Sequence, residues 1–366
     1  MHELVASLSA FGITVGLLWV LRPLALRIGL VDKPGERKLH QGNIALIGGI
    51  AMFCGLMFSM LMLNLPLGGL RAFFASCALL VIVGILDDFH ELPSWVRFAA
   101  QIAAALMMTL WGGVVVTDLG AITGGGKVEL GIWAVPFTVF ATIGVINAVN
   151  MIDGADGLAG GISFVALSLL TGIAFVAGRA TEGMVLVLLA ATVVAFLFFN
   201  ARLPGRKHAL VFMGDAGSML LGFALAWFLI SLSQGENRAI QPVMALWILA
   251  VPLIDTVSIM IRRGHSRRNL FLASRDHFHH LLLDTGRKQG TTVGVMVALA
   301  AAAGIVGVAA SLAGVSESLL FIVFLALGFL HLWNTGRLSK AVARIDPSVG
   351  SKKRSPRGTP YQPRGS

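Results

Sequence analysis

The sequence predicts an all-α polytopic membrane protein with about eleven transmembrane helices, its N-terminus periplasmic and its C-terminus cytoplasmic. Three observations carry this reading. Of 366 residues, 56% are apolar and only 13% charged, with mean hydropathy +0.84; the charge share is about half that of a soluble domain. The apolar residues come in long runs that lack the alternation of barrel strands. The basic residues, finally, collect in alternate connections.

The spans lie near residues 4–26, 44–64, 69–86, 98–117, 131–149, 158–178, 184–200, 216–233, 242–261, 291–312 and 319–338. The first has no basic leader or small-residue cleavage site and is read as a retained span. Of 28 Lys and Arg residues, 24 fall in residues 21–46, 87–98, 147–158, 201–213, 262–290 and the C-terminal segment. Only Arg71, Lys127, Arg179 and Arg238 fall in the other connections. The positive-inside rule makes the first set cytoplasmic. The net charge of +10 therefore orients helices and needs no nucleic acid as partner. Cys54 and Cys77 sit inside apolar runs and read as small packing residues. Residues 1–340 form one membrane domain, and 341–366 a basic, disordered cytoplasmic tail.

The acids follow the same division. Asp87 and Asp88 end the third span as adjacent carboxylates, which repel unless a cation or a shared proton joins them. A helix C-terminus disfavours acids, so a solvated helix end is the weaker explanation. Asn147, Asn150, Asp153 and Asp156 follow at steps of three. Successive members turn by about 300°, so they form a slowly winding polar stripe. Oxygen donors of this kind suit Mg2+ or Mn2+; turns and caps at Gly154 and Gly157 account for one or two of the four. Asp215, in Gly214-Asp215-Ala216-Gly217-Ser218, reads equally as a helix N-cap or as part of an anion site.

The loop 262–290 holds Arg263, His277, His279 and His280 among other basic groups. Its histidine spacing is poor for zinc, and many cationic donors with few acids suit a diphosphate. Arg37, Lys38 and His40 could meet a phosphate or a lipid headgroup; topology explains the first two as well. Span interiors are almost free of charge, Asp255 being the exception. Carboxylates, amides and basic groups thus converge on one membrane face, as metal-assisted phosphoryl transfer between a nucleotide diphosphate and a lipid phosphate requires. A transporter more often places polar groups at mid-membrane.

The ordered set Asp32-Lys-Pro…Arg37-Lys38…His40, Asp87-Asp88, Asn150-Met-Ile-Asp153-Gly-Ala-Asp156-Gly157, Gly214-Asp215-Ala-Gly217-Ser218 and His277-Phe-His279-His280 resembles the polyprenyl-phosphate N-acetylhexosamine-1-phosphate transferases over nearly the whole chain. Within them it looks like the branch using undecaprenyl phosphate and UDP-N-acetylglucosamine. The resemblance implies an enzyme of the bacterial inner membrane whose active site faces the cytoplasm. It would make undecaprenyl-diphosphate N-acetylglucosamine and UMP, the first membrane step of O-antigen or related lipopolysaccharide glycans. Another UDP-N-acetylhexosamine or UDP-N-acetylmuramoyl-pentapeptide is the alternative donor. A transporter is the alternative class, and a homodimer is a further expectation. The resemblance assigns Asp215 and Asn150 to Mg2+ (or Mn2+), and Asp87, assisted by Asp88, to the lipid phosphate. It assigns Asn147, Asp153, Asp156, Arg263, His277, His279 and His280 to the donor. Two departures stand out. Ala45 replaces the usual Pro of a Pro-x-x-Gly-Gly element, and Ala273-Ser274-Arg275-Asp276 replaces Pro-Asp-Arg. The His-x-His-His pattern argues against the muramoyl-pentapeptide donor.

Overall fold

A computed structural model of the chain describes residues 2–33, 42–63, 68–202, 205–206, 208–265 and 277–345. The polypeptide is mostly helical. In chain order the helices are α1 (His2–Ile28), α2 (Gly48–Met60), α3 (Arg71–His90), α4 (Ser94–Leu106), α5 (Ala134–Ile152), α6 (Leu158–Val176), α7 (Ala180–Asn200), α8 (Gly214–Ser233), α9 (Val243–Ile248), α10 (Ala250–His265), α11 (Phe278–Asp284), α12 (Gln289–Leu312) and α13 (Glu317–Ile345). Among the described residues, eight helical segments are long and apolar enough to cross a membrane.

The segments expected as the second, fourth and ninth spans are shorter or divided. In the second, Ile44–Leu46 is drawn into a strand and α2 keeps 13 residues. The fourth widens from α4 into one π-helical turn, Met107–Trp111. The ninth breaks at Leu249, between α9 and α10. Pro252 explains that break, because it has no N–H to offer the residue 248 carbonyl and its ring crowds that carbonyl. The last helix continues to Ile345, and the basic segment beyond it lies outside the described residues.

Helix α8 is the centre of the bundle, with nearly all of its residues buried, whereas α1 and α13 expose most of theirs. Its neighbours approach at backbone distance. A Cβ on Gly49 of α2 would run into Gly217; one on Gly84 of α3 would run into Ala216; one on Gly222 would run into Ile146 of α5. Small residues at such crossings let apolar helices associate where the hydrophobic effect between them is weak. Phe73, Phe223, Trp227 and Phe228 fill the other half of the α3–α8 contact, with ring centroids 5.3–6.2 Å apart.

A small sheet sets one end of α8. Strands β1 (Val31–Asp32), β2 (Ile44–Leu46) and β3 (Val211–Phe212) lie in that spatial order. The β1–β2 pair is antiparallel, with Val31 opposite Ala45, and β2–β3 is parallel, with Ala45 opposite Val211. Ala45 is buried in the middle strand, so the departure noted in sequence sits where an unbranched residue fits between two ladders. Next along, the Gly49 N–H donates to the Met213 carbonyl at 3.0 Å. The sheet therefore delivers the chain directly to Gly214 and Asp215.

Candidate active site

The third helix ends in a tight reversal that shapes the site. Glu91 adopts a left-handed conformation (φ 48°) and donates its N–H to the Asp87 carbonyl at 2.8 Å. The Leu92 N–H donates to Asp87 Oδ1 at 2.7 Å. Asp87 thus closes the end of its own helix. Pro93 cannot extend α3 and starts α4, whose first turn carries Arg97 back over the carboxylates. Arg97 Nη1 donates to Asp87 Oδ2 at 3.0 Å and to Asp215 Oδ2 at 3.4 Å. One guanidinium nitrogen therefore joins acids that are 128 residues apart in sequence.

Asp88 points the other way. Its Oδ1 accepts the Asp215 N–H at 2.9 Å, and its Oδ2 the Ala216 N–H at 3.5 Å. It caps α8 from a different helix, filling the role an N-cap side chain normally plays. Both adjacent acids, unfavourable at their own helix C-terminus, are thereby matched: one to a cation, the other to the positive end of α8. Gly214 is required at this junction. Its φ is 73°, and a Cβ there would collide with the Asp88 carboxylate. Asp88→Ala is expected to cost about 1 kcal/mol of stability, read as a lower melting temperature in detergent. Asp88→Asn keeps one acceptor and should cost less. Identical melting of Asp88→Ala and wild type would remove the cap.

The polar stripe of α5 divides into distinct jobs. Asn147 Nδ2 donates to Gln101 Oε1 at 2.8 Å, which ties α5 to α4. Asn150 Nδ2 donates to Asp215 Oδ1 at 2.6 Å and to Ser218 Oγ at 2.9 Å. Asp156 Oδ2 accepts Arg202 Nε at 2.8 Å. Asn200 reinforces the same turn, its Oδ1 accepting the Gly157 N–H at 2.7 Å and its Nδ2 donating to the Val211 carbonyl at 2.9 Å. Within this stripe, Asp153 has a carboxylate with no hydrogen bond to the described residues.

Burial pushes the Asp153 carboxyl up to about 7, and the negative charges of Asp215 and Asp156 add to the rise. A raised carboxyl pKa means that the folded state holds this proton more tightly than the unfolded state. Stability is then lost as pH climbs from the unfolded value of 3.8 to the folded value of about 7. Asp153→Asn should relieve that loss. Its melting temperature should exceed wild type at pH 8, and the advantage should disappear near pH 4. An advantage of equal size at both pH values would sink the argument.

Asp87 and Asp215 share one cationic nitrogen and Asn150 is bonded to Asp215; two carboxylates and an amide oxygen are hard donors, a set that fits Mg2+ or Mn2+. His277, His279 and Arg263 are buried at the α10–α11 side. A Cβ on Gly154 would run into His279 Nε2, so the histidine segment lies against the Asp153–Asp156 loop. His280 packs on His279 with ring centroids 4.1 Å apart. Arg37, Lys38 and His40 lie outside the described residues.

Sequence reasoning passed over Arg97, Gln101, Asn200 and Arg202. Arg97 is the single Lys or Arg in residues 87–98, where it counted only as a topology charge. Its position ten residues after Asp87 was the available signal.

Residues 70–233, which hold Asp87, Asp88, Asn147, Asn150, Asp153, Asp156 and Asp215, match the model of glycosyl transferase family 4. The chain is 36% identical over 341 residues to an undecaprenyl-phosphate alpha-N-acetylglucosaminyl 1-phosphate transferase of Yersinia pestis, covering 91% of this chain and 93% of that protein. Proteins of the same name from Escherichia coli K12 and Haemophilus influenzae are 35% and 38% identical, over 92% and 90% of this chain and 94% and 93% of theirs. With relatives this similar along nearly their full length, the chain belongs to the undecaprenyl-phosphate alpha-N-acetylglucosaminyl 1-phosphate transferases of glycosyl transferase family 4.

Proposed function

We propose that the protein transfers N-acetylglucosamine 1-phosphate from UDP-N-acetylglucosamine to undecaprenyl phosphate, at the cytoplasmic face of a bacterial inner membrane. The products are undecaprenyl-diphosphate N-acetylglucosamine and UMP, the start of a lipid-linked surface glycan such as O-antigen. The observation that carries this reading is the convergence of Asp87 and Asp215 on Arg97, with Asn150 bonded to Asp215, at one end of the bundle. In this reading the acids face a membrane surface, where a water-soluble nucleotide and a lipid phosphate can meet.

An oxygen of the acceptor phosphate attacks the β-phosphorus of the donor. The bond from that phosphorus to the bridging oxygen breaks, and UMP leaves with that oxygen. Asp215 and Asn150, with Asp87 beside them, would hold a Mg2+ or Mn2+ ion, which when bound neutralises the diphosphate and eases departure of UMP. Arg97 offers its guanidinium N–H groups to phosphate oxygens, for which its fork is well shaped. Asp87 orients the acceptor phosphate and takes any proton it carries. Asp88 assists by holding α8, and so Asp215, in place. Asn147 and Asp156 fix the walls of the donor pocket through Gln101 and Arg202, while Asp153 faces the nucleotide. Arg263, His277, His279 and His280 supply donors to the diphosphate or the amino sugar, and Arg37, Lys38 and His40 meet the acceptor headgroup.

Purified full-length protein with Mg2+, undecaprenyl phosphate and labelled UDP-N-acetylglucosamine should release UMP and a labelled lipid. Chelation should stop the reaction, and added Mg2+ should restore it. Folded protein that makes no labelled lipid would overturn the proposal. UDP-N-acetylgalactosamine and UDP-N-acetylmuramoyl-pentapeptide in parallel reactions test the donor.

A further inference from the structure

Asp255 stands apart from the carboxylates above. It lies on α10 with 1% of its surface exposed, in a segment otherwise built for apolar surroundings. A buried carboxylate is costly unless its oxygens are bonded, and here both are. Oδ2 accepts His277 Nδ1 at 3.0 Å, and Oδ1 accepts the Phe278 N–H at 3.0 Å. His331 of α13 brings its Nε2 to 3.5 Å from Oδ1, close enough for charge attraction and longer than a well-formed hydrogen bond. The same His331 ring packs edge-on against Phe278, with centroids 5.0 Å apart. One carboxylate thus gathers α10, the start of α11 and the last helix.

The chain of contacts continues toward the proposed reaction. The His277 ring stacks on His279 with centroids 5.5 Å apart and planes 21° from parallel. His279 in turn presses on Gly154, where a Cβ would collide with it. Gly154 lies between Asp153 and the Asp156–Arg202 pair. Since packed side chains do not deform freely, the orientation of His277 reaches the Asp153 loop through two ring contacts.

We infer that Asp255 and His331 are positioning residues: Asp255 fixes the His277 ring through Nδ1, His331 braces that bond from the last helix, and together they seat the His277–His280 segment against the Asp153–Gly154 loop for donor binding. This rests on the proposed function in assigning the histidines to the UDP-sugar. The physical reason is tautomer control. A carboxylate acceptor at Nδ1 requires the proton there, and leaves Nε2 as the nitrogen with a fixed outward direction. An Asn at 255 offers one acceptor oxygen for two donors. Its amide N–H groups would face either Nδ1 or the Phe278 N–H, so the present pattern cannot survive. The Asp255, His277 and His279 ligand atoms lie within 4.8 Å of one another, a spacing that a metal ion could also bridge. Both Asp255 oxygens already serve N–H donors, and the geometry therefore favours hydrogen bonding.

The test uses full-length protein in detergent, with folding checked by melting temperature. Histidine-selective nitrogen NMR, with His277 assigned through His277→Gln, should show a protonated Nδ1 in wild type and its loss in Asp255→Asn. In transfer assays Asp255→Asn should raise KM for UDP-N-acetylglucosamine about tenfold or more, the scale of losing a hydrogen bond to a charged group, and His331→Leu should raise it by a smaller factor. KM for undecaprenyl phosphate should stay unchanged, and His331→Gln, which keeps an N–H donor, should recover most of the loss. Folded Asp255→Asn and His331→Leu with wild-type donor KM would overturn the inference. So would one equivalent of tightly held zinc in wild type that Asp255→Asn loses, since a metal would then replace the hydrogen bond. If wild-type protein makes no lipid-linked sugar, the proposed function fails instead, and the NMR comparison still tests the Asp255–His277 bond.

Discussion

Asp215→Ala is expected to reduce transfer by about a thousandfold or more, the scale of removing several kcal/mol of electrostatic stabilisation from a phosphoryl-transfer transition state. The carboxylate does three things at once. As proposed, it would offer oxygen to a divalent ion; in the structure it accepts the Asn150 amide at 2.6 Å and shares Arg97 with Asp87. Removing it frees both neighbours together, so the loss should exceed that of any single hydrogen bond. The fold should persist, because the α8 cap is made to the residue 215 backbone N–H and not to its side chain. The check is a turnover measurement beside a melting curve. Turnover within tenfold of wild type, on protein with normal melting, would remove Asp215 from the reaction. Raising Mg2+ should rescue Asp215→Asn in part, because its amide oxygen remains a weak ligand.

Arg97→Gln is expected to cost about a hundredfold or more in kcat, in line with losing a charged donor aimed at developing phosphate charge. It also leaves Asp87 and Asp215 facing each other without the cation now between them. Like charges in a partly buried site repel, so the apparent Mg2+ requirement should change along with kcat. Arg97→Lys keeps the charge but loses the fork, and should fall between wild type and Arg97→Gln. A kcat for Arg97→Gln close to wild type would mean that the guanidinium balances the two acids and takes no part in transfer.

These two residues show unequal legibility. Asp215 stands in a Gly-Asp-x-Gly-Ser segment opening an apolar run, and its type and place together mark it. Arg97 carries no comparable signal. Alone, a basic residue in a cytoplasmic connection is explained by topology, and its meaning depends on a turn at Glu91 and Pro93 that returns it to Asp87. Asp88 is a similar case. Its adjacency to Asp87 reads as a catalytic pair, but the two side chains leave α3 in different directions, one toward Arg97 and the other toward the N-terminus of α8. The step-of-three series behaves likewise. Periodicity places Asn147, Asn150, Asp153 and Asp156 on one winding stripe. Their partners come from α4, α8 and the segment after α7, which no local pattern encodes.

The span count follows the same logic. Long apolar runs announce α1, α3, α6, α7, α8, α12 and α13 directly, because hydrocarbon demands only length and apolarity. The second run is harder to read: its first residues complete a three-stranded sheet whose other strands lie at 31–32 and 211–212.

By itself the sequence determined the membrane class, the chemical types at the site and the family resemblance. Composition, run length and short motifs are local properties, and solvent acts on them residue by residue. Only the tertiary structure decided which acid meets which cation, which carboxylate caps α8, and how Asp255 and His331 reach the histidine segment. Those outcomes depend on backbone crossings at Gly49, Gly84 and Gly222 and on hydrogen bonds with well-defined lengths and directions. Residues more than a hundred positions apart satisfy such bonds only after the helices have packed.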